Sequence, residues 1–294
     1  MEFVDLHSHT NESDGTATPA ELVQLAIRAN LAALAITDHD TFEGFEKALP
    51  FARAASFDLI RGIELNSRLY LPKAKQSRFA HVLGYFPSNE PTAGFHAWLN
   101  HEREDRRARN RKLISALEER GVVITLEEVE ARGRSLTGRP HFARVLVDKG
   151  YAKNSEDAFQ RYLGEEAPSY VERQSHRLEE VIRVVRLGGG IPVIAHPIRL
   201  GLAGEQEREV LASAKKAGLL GLEVYHSEHS ASAQAHYKKL AEDLDLAPTG
   251  GSDFHGDVKP TVRLGEGIAG NVRVPRAFVD GLRAIRIGAP PSII

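Results

Sequence analysis

The sequence contains no cysteine, which excludes disulfides, thiolate nucleophiles and cysteine-ligated metal sites. Aromatic residues make up only 7% of the chain, few for a protein that binds nucleic acid by stacking its bases. The 38 basic and 40 acidic residues nearly cancel, so the chain lacks the positive charge needed to coat long nucleic acid. A small anionic substrate bound at a local positive site is compatible with this composition.

The chain also lacks long apolar runs. No stretch of about 18 uncharged apolar residues is present, so we expect no membrane span. Residues 1–15 contain neither a basic leader nor an apolar core, so we expect no secretory signal. For 294 residues, the expectation is a soluble, cytoplasmic protein made of one large domain or of a domain with a sizeable insertion.

Short apolar runs alternate with helix-forming stretches along most of the chain. A helix is predicted at residues 19–29, with Thr18 as its N-cap and Pro19 at its first position, and another at 205–217. This alternation predicts an α/β fold with a mostly parallel sheet, in which about seven units could close into a barrel. The predicted strands are residues 3–6, 32–37, 58–63, 79–86, 191–195, 221–225 and 246–249.

Residues 90–175 interrupt this alternation with a charged, helix-forming segment. We interpret them as a helical insertion, or cap subdomain, on a barrel formed by residues 1–89 and 176–294. The basic stretch 102–112 is typical of a solvated helix face with ion pairs, and a substrate-facing role is the alternative. The helices predicted within the segment are residues 96–120, 126–132, 140–149 and 156–163.

Histidine and aspartate residues follow four of the predicted strands, directly in three cases and after three intervening residues in the fourth. The carboxyl ends of parallel strands meet at one edge of the sheet, where the active sites of such folds lie, so these side chains should converge. Imidazoles and carboxylates without thiolates favour Mn, Zn or Fe over soft metals. The four motifs are His7-Ser8-His9, Asp38-His39-Asp40, His196-Pro197 and Asp253-Phe254-His255.

Taken in order, these motifs resemble those of the PHP (polymerase and histidinol phosphatase) superfamily, and the likeness extends from Phe3 to about Gly256. The resemblance implies a distorted (β/α)7 barrel with two or three divalent metal ions at the strand ends. Mn is the first expectation, with Zn, Fe or Mg as alternatives. By resemblance, the ligands are His7, His9, Glu64 and Asp253 for one ion, Asp14, His39 and His255 for a second, and Glu64, His81 and His196 for a third, with Glu64 bridging.

Some of these residues have simpler interpretations when each is taken alone. His81 lies inside a predicted strand, where a single histidine is usually a core residue, and Asp14 lies in an ordinary turn sequence. Asp14 also stands where some relatives have histidine, which affects metal preference. Asp38 and Asp40 are interpreted as residues that orient His39 or a helix start.

The expected charge of the site favours a phosphate ester as the substrate. Three divalent ions would carry six positive charges against three carboxylate charges, leaving roughly three positive charges to attract a phosphate dianion. The ions would also lower the pKa of a bridging water and supply the attacking hydroxide at neutral pH, so no protein nucleophile is needed. His226 is a candidate proton donor to the leaving group.

Five residues are candidates for substrate contact. Arg139 and His141 belong to the sequence Thr-Gly-Arg-Pro-His, which opens a cap helix and so combines a helix N-terminus with an arginine, an arrangement suited to anions. Arg199, which follows one of the four motifs, is a second candidate phosphate contact. His226 and His229 follow a predicted strand at the same edge of the sheet.

The cap and its Thr-Gly-Arg-Pro-His sequence resemble a stand-alone branch of the superfamily that includes 3′,5′-nucleoside bisphosphate phosphatases and enzymes that trim short RNA from its 5′ end. The resemblance implies removal of the 3′-phosphate from a nucleoside 3′,5′-bisphosphate, or 5′–3′ hydrolysis of a short oligoribonucleotide. The alternatives are a histidinol-phosphate-type phosphomonoesterase and a non-catalytic, metal-stabilised module that binds nucleic acid. The second alternative predicts missing ligands, yet all nine positions carry a ligand-type side chain. No protein partner is inferred.

Overall fold

The computed structural model describes residues 2–71, 76–133, 137–172 and 175–287. Within these residues no helix is long and apolar enough to cross a membrane. The strands are β1 (Phe3–Asp5), β2 (Ala33–Ile36), β3 (Asp58–Leu71), β4 (Gln76–Phe86), β5 (Ile191–Ile194), β6 (Gly221–Tyr225), β7 (Ala247–Gly250) and β8 (Val274–Pro275). The α-helices are α1 (Pro19–Arg28), α2 (Glu43–Ala54), α3 (Ala93–Glu118), α4 (Leu126–Gly133), α5 (Arg139–Asp148), α6 (Ser155–Ala158), α7 (Leu178–Leu187), α8 (Gly204–Lys216), α9 (Ala231–Asp243) and α10 (Ala277–Ala284).

The eight strands form one sheet in the order β7-β6-β5-β4-β3-β2-β1-β8, curved into a nearly closed, distorted barrel. Four neighbouring pairs are parallel and three are antiparallel, so the expected mostly parallel sheet is a mixed one. The strand β4 runs antiparallel to both of its neighbours. Only residues 72–75 separate it from β3, whereas a parallel connection needs a crossover of about a dozen residues.

The barrel closes along the residues that carry the first and last motifs. Beyond the ends of β1 and β7, the two chain segments continue side by side. The N–H of Leu6 donates to the carbonyl of Gly250 at 3.1 Å, and the N–H of His9 donates to the carbonyl of Phe254 at 2.9 Å. The seam of the barrel therefore brings the His7-Ser8-His9 motif beside the Asp253-Phe254-His255 motif.

The buried Asp5 ties this seam together. Its carboxylate accepts hydrogen bonds from the N–H of His7 at 3.1 Å, the N–H of Ser252 at 3.0 Å and the Ser252 hydroxyl at 2.6 Å. The N–H of Gly265 donates to it at 2.7 Å. Burial raises the pKa of Asp5, and the hydrogen bonds from these donors counter that rise. Asp5 thereby positions the backbone on both sides of the seam.

The predicted helices are present with shifted ends. Thr18 caps α1 as expected, because its hydroxyl accepts the N–H of Glu21 at 3.2 Å and the Glu21 carboxylate accepts the N–H of Thr18 at 2.8 Å. Three further barrel helices, α2, α7 and α9, lie outside the predicted set. The helix α2 contains Pro50 in its interior, where proline is unfavourable. Helix propensity therefore does not predict this helix.

The region predicted as a cap consists of α3 to α6 and a π-helical turn at Phe159–Leu163. These helices enclose an apolar cluster of their own, which includes Leu113, Leu117, Phe142 and Leu146. The helices bury the side chains of this cluster against one another and not against the sheet. The segment can therefore fold without strands, which explains the break in the strand–helix alternation. The boundaries of the cap at residues 90 and 175 stay a prediction.

Asp58 joins the start of β3 to the helix α10. Its carboxylate accepts hydrogen bonds from Arg276 Nη2 at 2.7 Å and from both terminal nitrogens of Arg283, at 2.6 and 2.9 Å. Burial alone would raise the pKa of Asp58, but Arg283 and Arg276 lower it below its ordinary value. A pKa that falls on folding stabilises the fold above the unfolded-state pKa, and the stabilisation is lost as the pH falls through the folded-state pKa.

We expect Asp58→Asn to reduce the free energy of unfolding by about 1–2 kcal/mol at neutral pH, because two arginines lose a partly exposed anionic partner. The deficit should shrink as the pH falls below about 4, where the carboxylate takes up a proton in the unfolded state, and should disappear below the lowered pKa of the folded state. Urea unfolding at both pH values measures the difference. The control is Asp245→Asn, which removes a fully exposed carboxylate. Equal losses in the two variants would contradict this role of Asp58.

Candidate metal centre

Glu64 lies at the centre of the predicted ligands, at one end of the barrel. Its carboxylate is only 1% exposed. One oxygen, Oε1, lies 2.7 Å from His81 Nδ1 and 3.0 Å from His196 Nε2. The other, Oε2, lies 3.3, 3.2 and 3.4 Å from the Nε2 atoms of His7, His9 and His39. Five imidazoles therefore surround one buried carboxylate.

The ligand-type atoms of the described residues form three groups, within each of which they lie within 4.8 Å of one another. The groups are His7, His9, Glu64 and Asp253; His9, Asp14, His39 and His255; and His39, Glu64 and His81. The first group has the predicted composition. The second contains His9 in addition to the predicted residues, and the third contains His39 in the place predicted for His196.

Three residues of the site have left-handed backbone conformations that non-glycine residues rarely adopt. The φ angle is +50° at Asp40, +27° at His196 and +57° at Asp253. Such strain persists only where the surrounding structure holds it. Here the N–H of His196 donates to Glu223 at 2.5 Å, and the N–H of Asp253 donates to the carbonyl of His7 at 2.9 Å. The site residues are thus fixed by strained but well-bonded turns after the strands end.

Glu64 and His81 reach the site from inside strands. The strand β3 continues past Glu64 to Leu71, and His81 pairs with Asn66 across the β3–β4 hairpin. The expectation that ligands follow strand ends therefore describes the four motifs but not this hairpin. Its two strands extend beyond the carboxyl edge of the barrel, which lets interior positions of the strands face the cluster.

The three carboxylates of the cluster stay ionised despite their burial. Burial alone would raise the pKa of Glu64, but the surrounding imidazoles, with His39 as the largest contributor, lower it well below its ordinary value. The pKa values of Asp253 and Asp14 are also lowered well below their ordinary range, with His255 as the main opposing charge. The site therefore presents several buried anions to a cation.

The histidines divide into two kinds. Burial lowers the pKa of His39 to about 4 and that of His196 to about 3, so both rings are neutral and can act as ligands at pH 7. Burial would also lower the pKa of His9, but the carboxylates of Asp253 and Glu64 raise it to about 9. Without a metal, a proton on His9 provides the positive charge that balances these carboxylates. A divalent ion that binds here would displace this proton and provide the positive charge instead.

The buried ring nitrogens fit metal coordination. Among the described residues, His7 Nε2 and both ring nitrogens of His9 are buried and have no hydrogen-bond partner. Unpaired buried polar atoms are costly, and each one calls for an explanation. Coordination to a divalent ion would satisfy the Nε2 atoms, with nitrogen and oxygen donors of the types that Mn, Zn and Fe accept.

Glu223 is a site residue that sequence reasoning missed. Its fully buried carboxylate lies 2.9 Å from His7 Nδ1 and leaves Nε2 of that ring facing the cluster. Metal-binding histidines are commonly oriented by such a carboxylate. The available signal was a single acidic residue inside the otherwise apolar strand β6, where an unpaired charge would be costly.

Asp38 has a role that differs from the predicted one. It accepts hydrogen bonds from the N–H of Thr10 at 2.7 Å, from the Thr10 hydroxyl at 2.6 Å and from the Ser13 hydroxyl at 2.6 Å. These bonds hold the loop that carries Asp14. Asp38 therefore positions Asp14 within the second group of ligands rather than orienting the ring of the neighbouring histidine.

A cleft of about 390 Å³, here called the cap cleft, lies between the cluster and the cap helices. The basic stretch of α3 contributes Arg106 and Arg109 to the lining of this cleft, and a substrate-facing role for these two residues stays a prediction. Arg106 also pairs with Asp40 beside His39, which joins α3 to the metal-site loop. The residues that define the cap cleft are Asp14, His39, Phe79, His81, Arg106, Arg109, Arg139, His141 and Tyr170.

Arg139 lies among aromatic rings at this cleft. Its guanidinium carbon is 5.6 Å from the centre of the Phe79 ring, 5.7 Å from that of Tyr170 and 6.0 Å from that of Phe159. It also donates to the carbonyl of Leu163 at 3.3 Å. Burial lowers the pKa of Arg139, because part of the guanidinium is removed from water.

Two cations contact Asp253. Arg199 Nη2 lies 3.0 Å from Asp253 Oδ2 and also pairs with Glu228 at 2.9 Å through Nε. Lys259 Nζ lies 2.6 Å from the same Asp253 oxygen, a contact that sequence reasoning missed. Arg199 therefore lies at the cluster with its charge paired by two carboxylates, and its role as a phosphate contact stays a prediction.

His226 and His229 are both fully buried. The His226 Nδ1 atom accepts the N–H of Glu228 at 3.1 Å, so its Nε2–H donates to Asp253 Oδ2 at 3.3 Å. The ring of His229 packs 4.8 Å from the ring of Tyr237. Because neither ring has an exposed surface, we do not assign them the predicted substrate contacts. His226 instead holds the carboxylate of Asp253 in place.

The PHP domain family model matches residues 5–176 of the chain. A 3′,5′-nucleoside bisphosphate phosphatase from Chromobacterium violaceum is 31% identical over 257 residues, covering 87% of this chain and 88% of the relative. A 5′-3′ exoribonuclease from Haemophilus influenzae is 30% identical over 252 residues, covering 85% and 89% respectively. The solved structure of a candidate metal-dependent phosphoesterase from Bifidobacterium adolescentis has a TM-score of 0.79 and 30% identity, covering 96% of this chain and 95% of that one.

We expect Glu223→Gln to weaken binding of Mn²⁺ about 10- to 100-fold, because the amide lacks the charge that orients His7 and raises its basicity. Competition with a fluorescent chelator measures the affinity. The matched control is Glu207→Gln, which removes another buried carboxylate, one that pairs with His236 at 2.6 Å on the helices α8 and α9. Unchanged Mn²⁺ affinity in a folded Glu223→Gln protein would contradict the assignment.

Proposed function

The chain belongs to the PHP domain family and is a metal-dependent phosphoester hydrolase, and we propose that it removes the 3′-phosphate from nucleoside 3′,5′-bisphosphates. The observation that carries this proposal is the cap cleft, which joins a cluster of metal-ligand residues to an arginine set among aromatic rings. A substrate with two phosphates has one group for each end of such a cleft. The similarity to a 3′,5′-nucleoside bisphosphate phosphatase supports the same substrate class.

The proposed metal site comprises the nine predicted ligands, which would hold two or three divalent ions. Mn²⁺ is the first candidate, and Zn, Fe or Mg remain alternatives because the donors are nitrogen and oxygen atoms. Ions bound there would polarise the phosphate and make hydroxide available near neutral pH. The proposed ligands are His7, His9, Asp14, His39, Glu64, His81, His196, Asp253 and His255.

At the other end of the cap cleft, Arg139 would bind the 5′-phosphate. A guanidinium can donate two parallel hydrogen bonds to a phosphate, and the partial desolvation of Arg139 strengthens such a pair. The exposed ring of Phe79 and the ring of Tyr170 offer flat apolar surfaces for the nucleobase. His141 lines the same cleft and closes the helix end beside Arg139, since its Nδ1 accepts the N–H of Gly138 at 3.1 Å.

The second candidate function is 5′–3′ hydrolysis of short oligoribonucleotides. Removal of a 3′-phosphate and release of a 5′-nucleotide from RNA break the same bond, between phosphorus and O3′. A further cleft, which meets the cap cleft at Phe79 and His81, offers room beyond the scissile phosphate. The similarity to a 5′-3′ exoribonuclease supports this activity as well.

A histidinol-phosphate-type phosphomonoesterase needs only one phosphate site. The cap cleft offers a second anion contact at Arg139 besides the cluster, which favours a substrate with more negative charge than one phosphate carries, whereas Arg106 is already paired with Asp40. A non-catalytic module would not need a cleft leading to the cluster. Turnover of adenosine 3′,5′-bisphosphate against histidinol phosphate separates these alternatives.

We expect Arg139→Ala to lower kcat/KM for adenosine 3′,5′-bisphosphate about 10- to 100-fold, the cost of losing a charge-assisted contact. Hydrolysis of 3′-AMP, which has no 5′-phosphate, should change much less. Phosphate release with added Mn²⁺ measures both. The control is Arg161→Ala, an arginine of the cap that is half exposed and packs on Tyr162. An equal loss on both substrates would sink the proposed 5′-phosphate contact.

A further inference from the structure

The further cleft, here called the arginine cleft, has a volume of about 410 Å³ and is defined by Arg68, Ser77, Arg78, Arg199 and the residues Phe79 and His81 that it shares with the cap cleft. His196 lines it as well. Glu64 Oε1 lies 2.7 Å from His81 and 3.0 Å from His196, so the cluster stands where the two clefts meet. A group held at the cluster can therefore extend into both clefts.

The strand β4 leads from the cluster into the arginine cleft. Side chains of alternate residues in a strand lie on one face, so Ser77, Phe79 and His81 form a row with a spacing of about 7 Å. Phe79 is 38% exposed, so part of its ring is open to a ligand at the place where the two clefts meet. The row therefore joins the cluster, an aromatic surface and an exposed rim in one line.

The arginine cleft is lined by three arginines in a chain whose overall charge is slightly negative. Among the described residues that line it, Glu165 is the one carboxylate, and Arg199 also pairs with Glu228 and Asp253 from outside the cleft. Glu165 pairs with Arg68, whose guanidinium also lies 3.6 Å from the centre of the Phe79 ring. Arg78 donates to the carbonyl oxygens of Leu200 and Gly201, neutral acceptors that do not cancel its charge.

We propose that the arginine cleft binds the ribose and phosphate of the nucleotide on the 3′ side of the scissile phosphate, when the substrate is a 5′-phosphorylated oligoribonucleotide. The inference rests on the proposed function and extends it. The first nucleotide occupies the cap cleft, the scissile phosphate lies at the cluster, and the next nucleotide enters the arginine cleft. A nucleoside bisphosphate is the same substrate without that next nucleotide.

The chemistry is the same for both substrates. Hydroxide from one water adds to phosphorus, the bond from phosphorus to O3′ breaks, and O3′ takes up the remaining proton. The cap cleft releases a 5′-nucleotide, and the shortened strand keeps the phosphate on its new 5′ end. Each cycle thus regenerates a substrate with the same 5′-phosphate, and only the arginine cleft distinguishes an oligoribonucleotide from a bisphosphate.

The test is Ser77→Glu, which adds a negative charge at the exposed rim of the arginine cleft without removing a described contact. The ratio of kcat/KM for a 5′-phosphorylated triribonucleotide to that for adenosine 3′,5′-bisphosphate should fall about fivefold, as expected for one added charge a few ångströms from a phosphate. The effect should shrink at high salt. The matched control is Ser115→Glu on α3, an exposed position that lines neither cleft.

A second variant, Arg78→Gln, should lower the same ratio about tenfold by removing a charge from the cleft. An unchanged ratio in both variants overturns the inference, and so does a ratio that falls equally in Ser115→Glu. Wild-type protein that hydrolyses the bisphosphate but not the triribonucleotide overturns the inference and leaves the proposed function standing. Hydrolysis of neither substrate by the Mn²⁺-loaded protein overturns both.

Discussion

The burial of the Glu64 carboxylate is the constraint on which the rest of the structure depends. An anion that is 1% exposed is stable only when positive or donating groups surround it. Four separate segments of the chain deliver imidazoles to it, after β1, after β2, within β4 and after β5. The cluster therefore forms where these four segments of the barrel meet, and the site's negative charge is what suits it to divalent ions.

Several structural features maintain this arrangement. Asp5 and Asp38 are buried carboxylates that bond to backbone and hydroxyl groups, and they position the loops on which ligands lie. Glu223 orients one imidazole directly. The left-handed conformations of His196 and Asp253 are unfavourable in isolation and are held by hydrogen bonds within the site. Rigid ligands of this kind give a substrate a fixed position relative to both clefts.

The motifs could be predicted because ligand-type residues follow apolar runs directly, and the PHP domain match agrees with the fold that they implied. The antiparallel course of β4 was not apparent from strand–helix alternation, since it depends on the short connection at 72–75. Glu223 was missed because its signal, a single acidic residue in an apolar strand, does not by itself separate a buried orienting carboxylate from a charge on an edge strand. The burial of His226 and His229 was missed for a related reason: position after a strand shows which edge a residue lies at, but not what packs over it.

The central claim is that Glu64 organises a multi-ion site on which phosphate hydrolysis depends. The most direct test is to titrate metal-free wild-type protein and a folded Glu64→Gln variant with Mn²⁺ while following hydrolysis of adenosine 3′,5′-bisphosphate. We expect two or three ions to bind to wild type, with activity rising as they bind. The variant should lose more than one ion together with its activity, because Glu64 belongs to two of the ligand groups. A variant that loses at most one ion and keeps its turnover would contradict the account.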